Sequence, residues 1–287
     1  MSNLNKYPIY VPSKDRSENC LTVKYLIRDK IDFYLVVEPS QVINYEKYYK
    51  KYLLVMPKDN MKLLGTRNWI RNHSIKNGFK RHWQLDDNIR GCKRLYKGVR
   101  IRCNMMDAIR FMEDITDNYS NVGVSGLNYE MFVSPNNKNK PIVINHHVYS
   151  FSLINNEMPY VWRLIYNDDT DLCIQILDGG LCTLYTNIFM ACKAQTMTIK
   201  GGNTDQLYKG RGRLVMARTL EKVWPDIVKT KWRFGRPQHV VKWEVFKHGL
   251  IRSDDYKEIN IDDYGKLKIL HEIKSNKLRK ILGVDDE

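Results

Sequence analysis

Short apolar runs alternate with stretches of helical periodicity through the first third of the chain. Runs rich in β-branched and aromatic residues, which are typical of strands, lie at 7–13, 32–40, 53–57 and 79–87. Between them, the spacing of apolar residues predicts helices over 41–52 and 63–78, the second closed by Asn77-Gly78. Strands that alternate with helices at such short intervals predict an α/β fold, with a mostly parallel central sheet and helices on both of its faces.

The rest of the chain is less regular but continues the same kind of fold. Helices are predicted at 103–120, 167–180 and 214–224, and strands at 122–134, 142–154 and 181–199. We therefore expect one main domain over residues 1–250, followed by a charged C-terminal extension over 251–287.

The composition is that of a globular protein, because 43% of the 287 residues are hydrophobic. No apolar run approaches the ~20 residues that a membrane span requires. The N-terminal sequence MSNLNKYPIY lacks the apolar core of a secretory signal. Six cysteines occur without a CxxC pair, which predicts reduced thiols rather than disulfides or a zinc site. We expect a cytoplasmic protein with no membrane partner.

The net charge of +15, from 47 basic against 32 acidic side chains, favours a polyanionic partner such as nucleic acid. A lysine-rich composition imposed by an A·T-rich genome explains the charge equally well, since Asn, Ile and Tyr are also abundant. Nothing in the pattern predicts an obligate protein partner.

Two adjacent carboxylates, Asp86 and Asp87, end the fourth predicted strand in the sequence HWQLDDN. In a parallel sheet the carboxyl ends of the strands share one edge, so these aspartates are expected beside Pro12-Ser13 and Glu38. Two ionised carboxylates repel each other unless their charge is compensated. Mg²⁺ or Mn²⁺, which prefer carboxylate oxygens, would compensate it. The alternative is an ordinary surface turn.

A second acidic cluster, Asp168, Asp169 and Asp171, precedes the apolar face of the helix predicted at 167–180. Acidic residues suit the first turn of a helix, and Asn167 or Asp168 is the predicted N-cap. Three carboxylates in four positions exceed what capping requires. One of them near a bound diphosphate is a candidate general base for an attacking hydroxyl.

The order of these motifs resembles that of A-type (GT-A) glycosyltransferases and, more narrowly, of the TET-associated glycosyltransferases of bacteriophages. The stretches that carry the resemblance are YVPSKDR, LLGTRNWI, HWQLDDNI, NDDTDLCIQILDGGLCTLYTNIFMACKAQTMTIKGGNTDQLY and GRPQHVV, between about Tyr10 and about His248. The resemblance implies a GT-A-like fold with a donor-binding half at about 1–100 and an acceptor and catalytic half at about 120–250.

The resemblance also implies an activity. The enzyme would transfer a hexose from a nucleotide sugar, most simply a UDP-sugar, to a 5-hydroxymethylpyrimidine in phage DNA, with inversion at the anomeric carbon. The acceptor would be 5-hydroxymethylcytosine, a divalent Mn²⁺ or Mg²⁺ ion would be the cofactor, and the host cytoplasm would be the location.

Site residues follow from the same resemblance. The donor would contact a set of residues near the strand ends and on the second predicted helix, namely Pro12, Ser13, Arg16, Glu38, Arg67, Asn68 and Asp86. Asp87 would ligate the metal together with a late histidine, His239 or, in reserve, His248. Asp169 would be the catalytic base. The family pattern has glutamate before that position, where this chain has Asp168.

The acceptor or the donor sugar would contact Asp168 and a glycine-rich loop, because paired glycines admit a ligand close to the backbone. The residues of this loop are Lys200, Gly201, Gly202, Asn203 and Thr204. Trp232, Arg233 and Trp243 are candidates to stack on a displaced base, although tryptophans are more often core residues and we favour that interpretation.

Three other functions fit the same patterns. A nucleotidyltransferase of related fold would use the same metal and diphosphate chemistry. A non-enzymatic nucleic-acid-binding protein would use the acidic pairs only as caps. A glycosyltransferase acting on protein or polysaccharide is disfavoured by the positive charge.

Overall fold

The structure is a computed structural model, and it describes residues 5–135, 139–194 and 212–265. Its centre is a ten-stranded sheet flanked by helices, in the strand order β3-β2-β1-β4-β9-β7-β10-β5-β6, with β8 paired to β10. Strands β5, β8 and β9 run against the direction shared by the other seven strands. The predicted α/β fold, a single main domain with a mostly parallel sheet between helices, is confirmed.

The strands of the sheet are β1 Ile9–Pro12, β2 Tyr34–Val37, β3 Leu53–Val55, β4 Arg81–Leu85, β5 Ile89–Tyr96, β6 Val99–Cys103, β7 Val122–Tyr129, β8 Ile142–Ile144, β9 Phe151–Asn155 and β10 Cys182–Lys193. A separate hairpin consists of β11 Val228–Arg233 and β12 Arg236–Val241. The helices are α1 Leu21–Arg28, α2 Val42–Tyr49, α3 Lys62–Lys76, α4 Met105–Asp117, α5 Asp168–Asp178 and α6 Gly212–Val223.

Strands β1 and β2 of the parallel half are buried on both faces apart from Tyr34, which explains why they are nearly continuous apolar runs. The central strand β4 is fully buried although it carries polar side chains, and the edge strand β3 is partly exposed. Along β1, Ile9 and Val11 pack into the largest core cluster, on the side of α1, α2 and α4. Tyr10 points to the opposite face, where it packs with Val36 and with Ile70 of α3. All strand pairs among β1 to β4 are parallel, so the four carboxyl ends meet at one edge.

Four parts of the fold differ from the sequence-based expectation. Helix α1, the β5–β6 hairpin and the β11–β12 hairpin lie in segments for which no element was predicted, and β5 and β6 carry basic side chains that break the apolar pattern. The single strand predicted at 142–154 is divided into β8 and β9. The chain turns between them, beginning at Asn145, whose φ of 55° lies in the left-handed region.

The described part of the C-terminal extension lies against the main domain. Ser253 N donates to Asn118 O over 2.9 Å, and the Tyr264 ring meets Phe111 edge-on. Arg94 donates to the carbonyl of Tyr264 and forms an ion pair with Asp262 at 2.8 Å. Within the described ranges, every helix is too short or too polar to cross a bilayer.

A candidate active site at the carboxyl ends of the strands

Asp87, immediately beyond β4, is buried and already has protein partners. Its Oδ2 accepts a 2.7 Å hydrogen bond from Ser13 Oγ, and its Oδ1 forms an ion pair with Arg16. Thr22 N donates to the carbonyl of Asp87 over 3.2 Å. Burial raises the pKa of the Asp87 carboxyl, and Arg16 and Ser13 oppose that rise. Asp87 therefore ties the loop after β1 to the end of β4.

Glu38 lies at the end of β2 and is paired with a neighbouring lysine. Its carboxylate is 4% exposed and lies 2.7 Å from Lys14 Nζ. On the same edge, Ser13 Oγ is 2.8 Å from Tyr45 OH, whose phenol also accepts from Arg16 N. The structure thus brings Ser13, Arg16 and Asp87 together, with Glu38 nearby along the sheet edge.

Asp86 uses a different pair of cations from its neighbour. Its Oδ2 is 2.9 Å from Lys193 Nζ at the end of β10, and its Oδ1 is 3.4 Å from Arg67 Nη2. The lysine also donates to Tyr129 OH over 3.1 Å and to Ser150 Oγ over 3.2 Å. Burial alone would raise the pKa of Asp86, but Lys193 and Arg67 outweigh it, so the pKa lies below its usual value. The Asp86 carboxylate is held ionised between two cations.

Arg67 is a buried cation that links the strand end to helix α5. It lies in the second turn of α3 rather than at the helix start, and its Nη1 donates to Gln84 Oε1 over 3.2 Å. Its Nε is 2.7 Å from Asp168 Oδ2, but without an aligned hydrogen bond, so the contact is mainly electrostatic. Behind it, Gln84 Nε2 donates to Arg67 O and to His82 Nε2, so the orientation of this amide depends on both residues.

Asn68 follows Arg67 but is engaged elsewhere. Its Nδ2 donates to Trp162 O over 2.7 Å, and its Oδ1 accepts from Trp162 N over 3.2 Å. Both halves of the amide therefore hold the segment before α5. The predicted contact of Asn68 with the donor stays a prediction.

Three acidic residues at the start of α5 have three different environments. Asp171 is fully buried and accepts hydrogen bonds from Arg163 Nε and Nη2, both over 3.0 Å, and from Trp224 Nε1 over 2.7 Å. It is a structural anchor. Asn167 occupies the N-cap position, as predicted, but its side chain does not cap the helix and donates instead to Met216 O.

Asp168 and Asp169 have opposite electrostatic surroundings. Burial raises the pKa of Asp168 to about 6, with Arg67 opposing and Asp169 adding to the shift. Burial acts in the same direction on Asp169, but His147, whose Nε2 lies 3.2 Å from Asp169 Oδ2, lowers the pKa of Asp169 below its usual range. Asp169 is therefore ionised throughout the physiological range.

Exposure separates the four carboxylates further. The side chain of Asp169 is 34% exposed, against 26% for Asp86, 13% for Asp168 and 7% for Asp87. Asp169 is thus the one of the four that a substrate reaches most readily. The role of Asp169 as the catalytic base stays a prediction.

His239 lies on β12 close to the start of α5. Burial lowers the pKa of His239, while Asp169 opposes the shift and His147 adds to it. The reserve candidate, His248, is committed to the fold, because its Nε2 is 2.6 Å from Leu177 O. Trp232, interpreted from the sequence as a core residue, is instead 72% exposed.

The predicted metal ligands do not form a recognisable ion site. Asp87 is paired with Arg16, whereas His239 is influenced by Asp169 and His147. In the described part of the chain, no group of three or more His, Cys, Asp or Glu side chains is arranged to hold a metal ion. The carboxylates do not fit a divalent ion as they stand, and protein cations already compensate their charge. The run Lys200 to Thr204 lies outside the described residues.

Two functional candidates were not found from the sequence. His147 lies in the turn between β8 and β9, and its only local signal is the doublet His146-His147. Lys193 is the last residue of a long apolar strand. A lone lysine at a buried strand end is unusual enough to have raised the question of its partner.

Together the site holds four carboxylates against three fixed cations, Arg16, Arg67 and Lys193. Guanidinium and ammonium groups bind phosphate oxygens well. An ionised, accessible carboxylate beside them is suited to accept a proton. These are the two kinds of group that a reaction with a diphosphate leaving group and a hydroxyl nucleophile needs, although the cations are paired with carboxylates here.

Comparison with known proteins identifies the family of the chain. A search of curated proteins found no match. Residues 7–202, about two thirds of the chain, match the model of the family described as TET-Associated Glycosyltransferase. The match includes Asp86, Asp169, His147 and Lys193, and it ends before the β11–β12 hairpin. The chain belongs to the TET-associated glycosyltransferase family.

Proposed function

We propose that this glycosyltransferase moves a sugar from a nucleotide-sugar donor to the hydroxyl of a 5-hydroxymethylpyrimidine, 5-hydroxymethylcytosine in the first instance, in phage DNA. The observation that carries the proposal is the partly exposed, ionised carboxylate of Asp169, 3.2 Å from His147 and beside a set of buried cations. A hydroxyl acceptor requires such a base, and a nucleoside diphosphate leaving group requires such cations.

The donor would lie along the carboxyl ends of β1, β2 and β4. Ser13 and Glu38 would face the nucleoside, and Arg67 and Lys193 would face the diphosphate, with a UDP-sugar as the first donor to test. Because these cations are now paired with Asp86 and Asp168, the diphosphate would compete with carboxylates for them. That competition favours release of the nucleoside diphosphate after turnover.

In the proposed reaction Asp169 accepts the proton of the acceptor hydroxyl as its oxygen attacks the anomeric carbon. The new glycosidic C–O bond forms while the bond from that carbon to the diphosphate oxygen breaks. The electron pair leaves with the nucleoside diphosphate, and the configuration inverts. His147 orients the Asp169 carboxylate through their contact.

A divalent metal stays a prediction from the family resemblance. Asp87 would become a ligand only after Arg16 releases it, since the two are directly paired. No step of the reaction proposed above depends on the ion.

The acceptor assignment is supported by the net charge of +15, which suits a polyanion. A pyrimidine inside a duplex must leave the base stack to reach an enzyme site, which costs a few kcal/mol. The enzyme would have to offset that cost with contacts to phosphates and to neighbouring bases.

The decisive experiment incubates the protein with hydroxymethylated DNA and a panel of nucleotide sugars, and weighs the nucleosides from the digested DNA by mass spectrometry. A hexose-sized mass gain that is lost in Asp169→Asn is expected. No gain with any donor on any hydroxymethylated DNA would refute the acceptor assignment. Release of pyrophosphate instead of nucleoside diphosphate would identify a nucleotidyltransferase.

A further inference from the structure

The β11–β12 hairpin carries an exposed aromatic tip that packing does not explain. Phe234 is 90% exposed and Trp232 is 72% exposed, and every residue from 231 to 236 is exposed. Aromatic side chains normally bury most of their surface in the core or at an interface. Two of them at one tip indicate a surface that meets a partner.

The turn of the hairpin places an aromatic residue in a backbone conformation that such residues rarely adopt. Phe234 and Gly235 connect the strands with φ values of 51° and 69°, the left-handed values of a two-residue hairpin turn. Asn, Asp or Gly adopts the first position at little cost, whereas an aromatic residue with positive φ is strained. Stability of the turn therefore disfavours phenylalanine here, and its ring has no core to fill.

The two faces of the hairpin differ in chemistry. Thr230 pairs with His239 and Trp232 with Pro237, so Trp232 and His239 lie on the same face, about 7 Å apart along the strands. At the base of the same face, Val228 packs against Ile174 of α5, the helix whose first turn carries Asp169. The Trp232 face therefore continues outward from the candidate active site.

The opposite face is cationic. Lys231, Arg233 and Arg236 project from it, and none of the 14 residues from Val228 to Val241 is acidic. Among the described residues, no carboxylate lies within ion-pair distance of these three cations. Unpaired basic groups beside exposed rings suit a nucleic acid, which offers phosphates and stacking bases together.

The base of the hairpin is firmly anchored. Val228 is fully buried with Ile174 of α5 and Leu220 of α6, and Thr230 N donates to Glu221 Oε2 over 2.9 Å. The tip can therefore be changed without disturbing the core. It also stands in a fixed position relative to α5, which carries Asp169.

We propose that the β11–β12 hairpin is a DNA-binding ribbon: Lys231, Arg233 and Arg236 contact the phosphate backbone, and Trp232 and Phe234 stack on bases next to the pyrimidine that enters the site. A two-stranded ribbon fits the major groove of B-DNA, and inserted aromatic side chains stabilise unstacked steps. The inference rests on the proposed function for its choice of DNA as the polyanion.

Phe234→Asn is the sharpest test, because asparagine suits the left-handed turn position while removing the ring. The variant should melt at the same or a higher temperature than the wild type. Its Kd for a hydroxymethylated duplex, from fluorescence anisotropy, should rise roughly tenfold, the loss expected for one stacking contact. Tyr48→Ala, at an aromatic residue of α2 that is 53% exposed, is the matched control and should leave the Kd unchanged.

The cationic face is tested through salt dependence. Replacing Lys231, Arg233 and Arg236 together by Gln should flatten the slope of log Kd against log salt by about 2 to 3. The control replaces three exposed lysines on α1, α2 and α3 by Gln, namely Lys24, Lys47 and Lys76. It removes the same charge and should keep the wild-type slope.

The outcomes separate this inference from the proposed function. If the wild type glycosylates DNA but the hairpin variants bind it as tightly as the wild type, the ribbon is wrong and the acceptor assignment stands. If DNA binding depends on the hairpin but no donor gives a product, the ribbon stands and the acceptor assignment fails. A wild type that does not bind DNA overturns the ribbon. Binding of the nucleoside diphosphate serves as the test of an intact site in every variant.

Discussion

Replacing Asp169 by Asn tests the assignment of the catalytic base with little structural change. The Asp169 Oδ1 accepts a 2.8 Å hydrogen bond from Thr170 N, which an amide oxygen can also accept. The amide nitrogen would face His147, which can accept from it in the other tautomer. Because the Asp169 side chain is 34% exposed, loss of its contact with His147 should cost less than about 1 kcal/mol of unfolding free energy.

The effect on turnover should be much larger than the effect on stability. A positioned general base contributes roughly 10²- to 10⁴-fold, which corresponds to about 3 to 5 kcal/mol of activation free energy. We expect Asp169→Asn to lower kcat by that factor and to leave the Kd of the donor within about threefold, since the side chain in contact with this carboxylate is His147 rather than a donor-facing cation.

The assay measures product nucleosides by mass spectrometry at saturating donor and DNA, with donor Kd determined by calorimetry. Asp168→Asn is the matched control, because it removes the adjacent carboxylate, which faces Arg67 at 2.7 Å. It should change donor affinity more than kcat. A kcat of Asp169→Asn within threefold of the wild type would show that another group removes the proton.

Three further results are expected. Asp168 has a pKa raised to about 6, so it is neutral below that pH and ionised above it, where it competes with the donor for Arg67. The Kd of a nucleotide sugar should therefore rise between pH 5 and pH 7. The same rise of Kd with pH in Asp168→Asn would contradict this explanation. Lys193→Met should weaken nucleoside diphosphate binding about tenfold or more in the presence of EDTA, because it removes a fixed cation; complete loss of wild-type binding in EDTA would instead assign the main charge to a metal ion. Burial raises the pKa of Glu113 to about 7, although the hydrogen bond from Trp83 opposes the shift, so ionisation of Glu113 opposes folding. The free energy of unfolding should therefore fall by about 3 kcal/mol as the pH rises from about 4.5 to about 7. Chemical denaturation should show this fall in the wild type, and a fall of the same size in Glu113→Gln would assign it to other groups.

The parallel half of the fold could be predicted from the local pattern of apolar and polar residues. Strands β1 and β2 are largely buried on both faces and therefore appear as apolar runs, and the strands β1, β2 and β4 are followed by the polar residues Ser13, Glu38 and Asp86. The hairpin β5–β6 was missed because basic residues interrupt its apolar pattern. The tip of β11–β12 was misjudged because the average behaviour of tryptophan predicts burial for Trp232, which the hairpin geometry exposes.

Only part of the candidate site could be predicted from the sequence. The sequence shows which residues are acidic and that they lie at a strand end and a helix start, but it does not show what neutralises them. A metal was the natural expectation for Asp86 and Asp87. That ion stays a prediction. The structure places a protein cation beside each carboxylate, Arg16 beside Asp87 and Lys193 beside Asp86, and Lys193 lies 107 positions further along the chain than Asp86.

By itself, then, the sequence determined the layered α/β architecture and the edge of the sheet at which Ser13, Glu38, Asp86 and Asp87 lie. Those features follow from periodicity and strand direction, which are local properties of the chain. Only the tertiary structure decided which cation meets which carboxylate and where His147 stands, because Coulomb and hydrogen-bond energies depend on separations of a few ångströms between residues that the chain keeps far apart.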